Sequence, residues 1–153
     1  MIGFVQGFLP LLGRILLSAI FLMSAIHKLT HWSATEAQMQ SEGLAWVSLL
    51  LAGAVALELA GSLMVLVGFQ ARWGALLLFV FLIPVTFIVH DFWTYEGQEQ
   101  QTQMINFIKN LAVMGGTLMV MAFGAGAFSV DAWRVARRRE HPAVQAGAAQ
   151  AVR

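Results

Sequence analysis

A chain of 153 residues is long enough for one domain, and this one is 59% hydrophobic but only 11% charged. A soluble domain carries roughly 25% charged residues, so the composition places the chain in a lipid bilayer. The net charge of +1 comes without a basic, aromatic-interleaved stripe, which excludes nucleic acid as a partner, and the lack of cysteine excludes a CxxC dithiol, a disulfide and a thiolate metal site.

A membrane-spanning helix needs about 20 mostly apolar residues, and four stretches qualify, at about 6–27, 45–68, 73–90 and 104–126. The first has Arg14 within its apolar run, lacks a positively charged leader and shows no clear cleavage site, so it reads as a retained span rather than a signal peptide. Arg14, Ser18, Phe21, Ala25 and Lys28 share one of its faces at helical spacing. On the second, Ala54, Glu58, Gly61, Ser62 and Val65 form a face of mainly small residues that admits a close neighbour. The third is the shortest and carries Pro84, which predicts a kink. On the fourth, Asn106, Lys109, Asn110, Val113 and Thr117 make one polar stripe. The fold expected is all-α: an integral membrane four-helix bundle, up-down-up-down, occupying residues 1–140. Residues 141–153, "HPAVQAGAAQAVR", read as a flexible cytoplasmic tail.

Charge placement gives the orientation. Arg72, Arg134, Arg137, Arg138 and Arg139 lie beside the second-to-third connection or after the fourth span, whereas the other connections hold Glu36, Glu42, Asp91, Glu96 and Glu99. By the positive-inside rule both termini are expected in the cytoplasm. Trp32, Trp46, Trp73, Trp93, Trp133 and Tyr95 fall at span ends, as an interfacial aromatic belt requires. The methionines and phenylalanines are scattered through the spans and read as packing or lipid-facing residues.

Arg14, Glu58 and Lys109 are the ionisable residues within the bilayer. Each costs about 2.5–3.5 kcal/mol at a helix centre, so each should face protein or water. Counting residues from the span ends puts Arg14 and Glu58 at similar depth, which predicts an intramembrane ion pair between them. Lys109 lies close in depth to Lys28 and His90. Asparagines cannot snorkel as lysine can, so Asn106 and Asn110 need partners inside the protein. These positions predict an outward-opening polar pocket built from Lys28, His90, Asn106, Lys109 and Asn110. His27, His31 and His90 gather near the same surface but in no metal- or haem-binding spacing, so no metal site is assigned and haem is disfavoured.

The segments "GRILLSAIFLMSAIHKL", "ALELAGSLMVLVGFQARWGA", "HDFW", "FIKNLAVMGG" and "GAGAFSVD" together resemble the DoxX family of small four-helix membrane proteins, from about Arg14 to Asp131. The resemblance implies a bacterial inner (plasma) membrane protein linked to membrane oxidoreductase complexes. One branch of the family supplies the membrane subunit of a thiosulfate:quinone oxidoreductase. Quinone is therefore the cofactor that the resemblance suggests, and oxidoreductase subunits are the suggested partners beside the lipid bilayer. Without cysteine the chain cannot itself carry sulfur covalently. The residues name no reaction, and two other roles compete: a non-enzymatic assembly or interaction protein, and a small-solute transporter, which would require a homo-oligomer to build a pathway. In the redox role, Lys109 would hold an oxygen of the quinone or a small anion and His90 would deliver a proton.

Overall fold

The computed structural model describes residues 2–140, with side chains placed from residue 7 to residue 138. The expected tail, 141–153, lies outside the described residues. Helix α1 runs Ile2–Thr30, α2 Trp32–Ser41, α3 Val47–Val67, α4 Ala71–Pro84, α5 Gly97–Phe123 and α6 Val130–Glu140. A single π-helical segment, Val85–Val89, continues α4, and a 3-10 turn, Phe92–Thr94, follows it. Among the described residues, four stretches are long and apolar enough to cross a membrane: Gly7–Thr30, Val47–Val67, Ala71–Thr94 and Gly97–Phe123. Large apolar side chains such as Leu16, Met23, Leu49 and Met119 lie exposed along them. In water that surface would be prohibitive, but against lipid tails it is the expected solvent contact.

Local chemistry explains the breaks between helices. Gly68 ends α3 with a left-handed φ of +69°. The amide of Gly68 then donates to the Val65 carbonyl at 3.2 Å and that of Phe69 to the Met64 carbonyl at 3.0 Å, which satisfies carbonyls the helix would leave orphaned. Pro84 has no amide hydrogen to offer the carbonyl one turn earlier, and the helix widens into the π segment just beyond it. The kink expected at Pro84 takes this form. Helix α2 carries no hydrophobic stripe and its N-terminus has no side-chain cap, so nothing in its residues announces it.

Helix α3 packs between α1 and α4, and α5 packs on α4. The α1–α5 seam is thinner, with Leu17 beside Gly116. The α3–α4 contact is the tightest in the bundle. A methyl group on Gly61 would lie 2.9 Å from the Gly74 carbonyl oxygen, and one on Gly74 would lie 2.6 Å from Met64 Cβ. Small residues there let the two backbones approach until dispersion contacts, rather than side-chain hydrophobicity, hold them. Phe21, Val65, Ala75, Leu78, Phe81 and Leu82 fill the centre, with Phe21 and Phe81 edge-to-face at 6.5 Å.

The two ends of the bundle differ. At the end carrying α6, the Asp131 carboxylate accepts from the backbone amides of Gln70 at 2.8 Å and Ala71 at 3.1 Å. It thereby caps the N-terminus of α4 from the far end of the chain. Arg14 belongs to this end as well. Its guanidinium donates to the carbonyls of Val65, at 3.4 Å, and Phe128. This corrects the expected Arg14–Glu58 ion pair. Val65 lies about two helical turns, or roughly 10 Å, from Glu58 along α3, and the arginine's long stem carries its charge toward the α6 end rather than the bundle centre. Glu58 finds its cation at the other end of α1.

Candidate functional site: a polar pocket at the α2 end

The distinctive chemistry of the bundle is concentrated at the α2 end. Lys28, in the last turn of α1, donates to both carboxylate oxygens of Glu58, at 2.9 and 3.0 Å. Ser24, one turn earlier on α1, donates to Glu58 Oε1 at 2.8 Å and accepts from Lys28. Ser62, one turn beyond Glu58, bonds back to the Glu58 carbonyl. The Glu58 side chain is 2% exposed and that of Lys28 is 21% exposed. Among the described residues this is the only salt bridge. A carboxylate this buried is tolerable because the ammonium and the hydroxyl both serve it. The Lys28 ammonium also lies 5.9 Å from the centre of the Phe81 ring.

This triad forms part of the wall of a partly open cavity of about 450 Å³. All the spanning helices contribute to it: Phe21, Ser24 and Lys28 from α1, Leu51 and Glu58 from α3, Phe81, Val85 and His90 from α4 and its continuation, and Lys109, Asn110 and Val113 from α5. Thr35, Gln38 and Met39 of α2, with Glu42 just after it, close one side of its mouth. The wall is apolar over most of its area, although half of the residues that line it are polar or charged. That is the general composition of a small-molecule site.

Asn110 is the most informative of those groups. It is 6% exposed, and its amide nitrogen Nδ2 has no hydrogen-bond partner among the described residues. An unsatisfied buried donor costs about 1–3 kcal/mol, and the residue that carries this one lies in the cavity lining. His90 Nδ1 lies 2.8 Å from Gln103 Oε1, and Gln103 in turn donates to Glu99 at 2.8 Å. With the carbonyl accepting, His90 carries its proton on Nδ1, and its Nε2 has no partner among the described residues.

Four of the five candidate pocket residues, Lys28, His90, Lys109 and Asn110, line the cavity, and Asn106 does not. Asn106 instead accepts from Lys109 Nζ at 2.9 Å. Lys109 is exposed, so it sits at the rim rather than inside. His27 and His31 stack on each other with ring centres 4.5 Å apart. Sequence reasoning missed Ser24 as the bridge between Lys28 and Glu58. Its signal was available: Ser24 and Lys28 are one helical turn apart on the same face.

A family model described as DoxX matches residues 9–91, which takes in Arg14, Lys28, Glu58 and His90 and ends before α5. Inner membrane protein YphA of Escherichia coli (strain K12) is 30% identical to this chain over 129 residues, 84% of this chain and 92% of the relative. Inner membrane protein YqjF of the same organism is 32% identical over 121 residues, 79% of this chain and 88% of the relative. The Surfeit locus protein 4 homolog of Schizosaccharomyces pombe is 30% identical over 94 residues, which is 60% of this chain but only 30% of that protein. No solved structure matches the chain. Its apolar spanning helices and its inner-membrane relatives agree with the family match, and the chain belongs to the DoxX family of multi-pass inner-membrane proteins.

Proposed function

We propose that the cavity at the α2 end binds the headgroup of a membrane quinone, and that the chain serves as the membrane subunit or partner of a redox complex. The observation that carries this reading is Asn110, whose buried Nδ2 has no partner among the described residues, in the lining of a cavity whose wall is apolar over most of its area. A flat, lipid-soluble ring with carbonyl oxygens suits that combination: the ring packs on Phe21, Phe81 and Leu51 while an oxygen accepts from Asn110. When bound, a quinone supplies a carrier for electrons and protons between partner subunits.

The chain's own residues would hold and orient it. Asn110 donates to one oxygen. Lys28 directs its donors to Ser24 and to both Glu58 oxygens, so it would hold the polar side of the wall in place rather than bond the ring itself. His90 is oriented by Gln103 and offers Nε2 toward proton exchange at the mouth. The aromatic and aliphatic wall excludes water from the ring, which strengthens each of these hydrogen bonds.

The test is a titration of a short-chain ubiquinone analogue into the purified full chain in non-ionic detergent, followed by calorimetry. Wild type should bind saturably, and Asn110→Leu should weaken binding about tenfold, the equivalent of one hydrogen bond to a buried donor. Lys109→Met, at the rim, should change it less. Equal affinity in wild type and Asn110→Leu would refute the reading.

A further inference from the structure

The α6 end carries a second concavity that owes nothing to the pocket just described. It is a groove of about 600 Å³ between the start of α4, the Gly124–Gly126 loop and one face of α6. Its walls include Trp73, Ala125, Ala132 and Val135, and Arg72 is the only cation in its lining. The only carboxylate there, Asp131, is occupied by the amides of Gln70 and Ala71. Arg72 has no carboxylate within salt-bridge distance among the described residues. Its one hydrogen bond among the described residues runs from Nη2 to the Ala122 carbonyl at 3.3 Å, which leaves most of the guanidinium's donors free of partners there.

We propose that this groove holds an anionic phospholipid, with the phosphate on Arg72 and an acyl chain along Trp73 and Val135. The position is right for a headgroup, because the groove lies where the α3–α4 turn and the end of α5 leave the apolar spans. Trp73 and Val135 are 65% and 51% exposed beside the unpaired arginine. Apolar surface of that kind is poor company for a free inorganic anion but suits one tethered to an acyl chain.

Helix α6 extends the same chemistry. Its Asp131, Ala132, Val135 and Ala136 face the groove, while Arg134, Arg137 and Arg138 project from its remaining surface. Arg134 lies over the Phe69 ring at 4.8 Å and Arg137 over the Trp133 ring at 4.9 Å, and neither meets a carboxylate among the described residues. The helix is anchored, because the Asp131 amide donates to the Gly68 carbonyl at 2.9 Å and Arg14 grips the Phe128 carbonyl. Arginines that have no carboxylate partner among the described residues are thus held beside the groove, and anionic headgroups are the counter-charge that the bilayer supplies. The net effect is a binding site that selects the lipid's charge through arginine and its chain through tryptophan and valine.

Native mass spectrometry of the full chain, delipidated in detergent and re-equilibrated with equal amounts of phosphatidylglycerol and phosphatidylcholine of matched acyl chains, tests this. Wild type should retain phosphatidylglycerol over phosphatidylcholine by roughly fivefold or more, the effect of a single arginine near a charged headgroup. Arg72→Gln should cut that preference severalfold, with the α6 arginines sustaining what remains. Val135→Glu, which leaves Arg72 in place but puts a carboxylate on the groove wall, should do the same, and it keeps the test informative if Arg72→Gln fails to fold. No preference in wild type, or a preference unchanged in both variants, would overturn the proposal. So would displacement of the lipid by millimolar inorganic phosphate, because the site would then be one for a free anion.

Discussion

Lys28 on α1 and Glu58 on α3 hold one another at 2.9 Å, with the carboxylate almost wholly shielded, and Ser24 completes the set by donating to the same oxygen. This ion pair joins two helices at the lining of the cavity, so it bears on both stability and binding. Lys28→Met would leave the Glu58 carboxylate buried without its cation, a change that costs about 3–5 kcal/mol. Lys28→Met combined with Glu58→Leu removes both charges and should lie much closer to wild type. Thermal unfolding of the purified chain in detergent measures both. A double variant no more stable than Lys28→Met alone would contradict a coupled pair.

Much of this arrangement was legible in the residues, and its limits are instructive. The spans stand out because apolar runs and aromatic ends are strong signals, and the α1 face bearing Arg14, Ser18, Phe21 and Ala25 is buried as its spacing implies. Depth was harder to read. A residue count places the Cα of Arg14, not its guanidinium, and the side chain reaches the Val65 and Phe128 carbonyls instead of Glu58. Phe128 is distant in sequence, and no local pattern points to it. Helix α2, with no apolar stripe and no side-chain cap, gave no signal either, yet it supplies one side of the cavity mouth. Asn106 and Asn110 share a helical stripe, but only Asn110 turns into the protein far enough to line the cavity. A stripe one residue wider than the buried arc cannot be resolved from periodicity alone.

Gly68 and Gly97 offer an internal comparison. Both have positive φ, +69° and +62°, so alanine strains each backbone by about 1–2 kcal/mol. Around Gly97 there is open space, whereas a methyl group on Gly68 would run into the Arg14 guanidinium and lie 3.1 Å from Ala125 Cβ. Gly68→Ala should therefore destabilise the chain clearly more than Gly97→Ala in thermal unfolding. Equal losses would mean that the Arg14 anchor contributes nothing.

The α3–α4 contact permits a similar test. Gly74→Ala places a methyl group 2.6 Å from Met64 Cβ and 2.9 Å from the Gly61 carbonyl oxygen, while Gly53→Ala on α3 meets nothing within 4 Å. Overpacking of this kind costs about 1–3 kcal/mol, and alanine in an open helical position is neutral or helpful. Melting temperatures of the two variants should move in opposite directions or differ clearly. Indistinguishable values would show that the helices separate at no cost.

Both termini and the Gln70–Arg72 turn are expected on the cytoplasmic side, by the placement of Arg72, Arg134, Arg137, Arg138 and Arg139. A reporter active only in the cytoplasm, fused after Arg139, should be active, and one active only in the periplasm should be silent. The opposite pattern would invert the bundle and place the α2-end cavity on the cytoplasmic face.

The central claim is that a quinone headgroup sits in the cavity lined by Asn110, Lys28 and Phe81. Photo-crosslinking addresses it most directly: an azido-ubiquinone is irradiated with the full chain in lipid nanodiscs and the labelled peptides are mapped. The account predicts label on the α5 segment around Asn110 and Val113 and on α1 around Ser24 and Lys28, suppressed by excess unlabelled quinone and much reduced in Asn110→Leu. Label confined to outward-facing positions such as Leu111 or Met119, or label that excess quinone does not compete away, would contradict it.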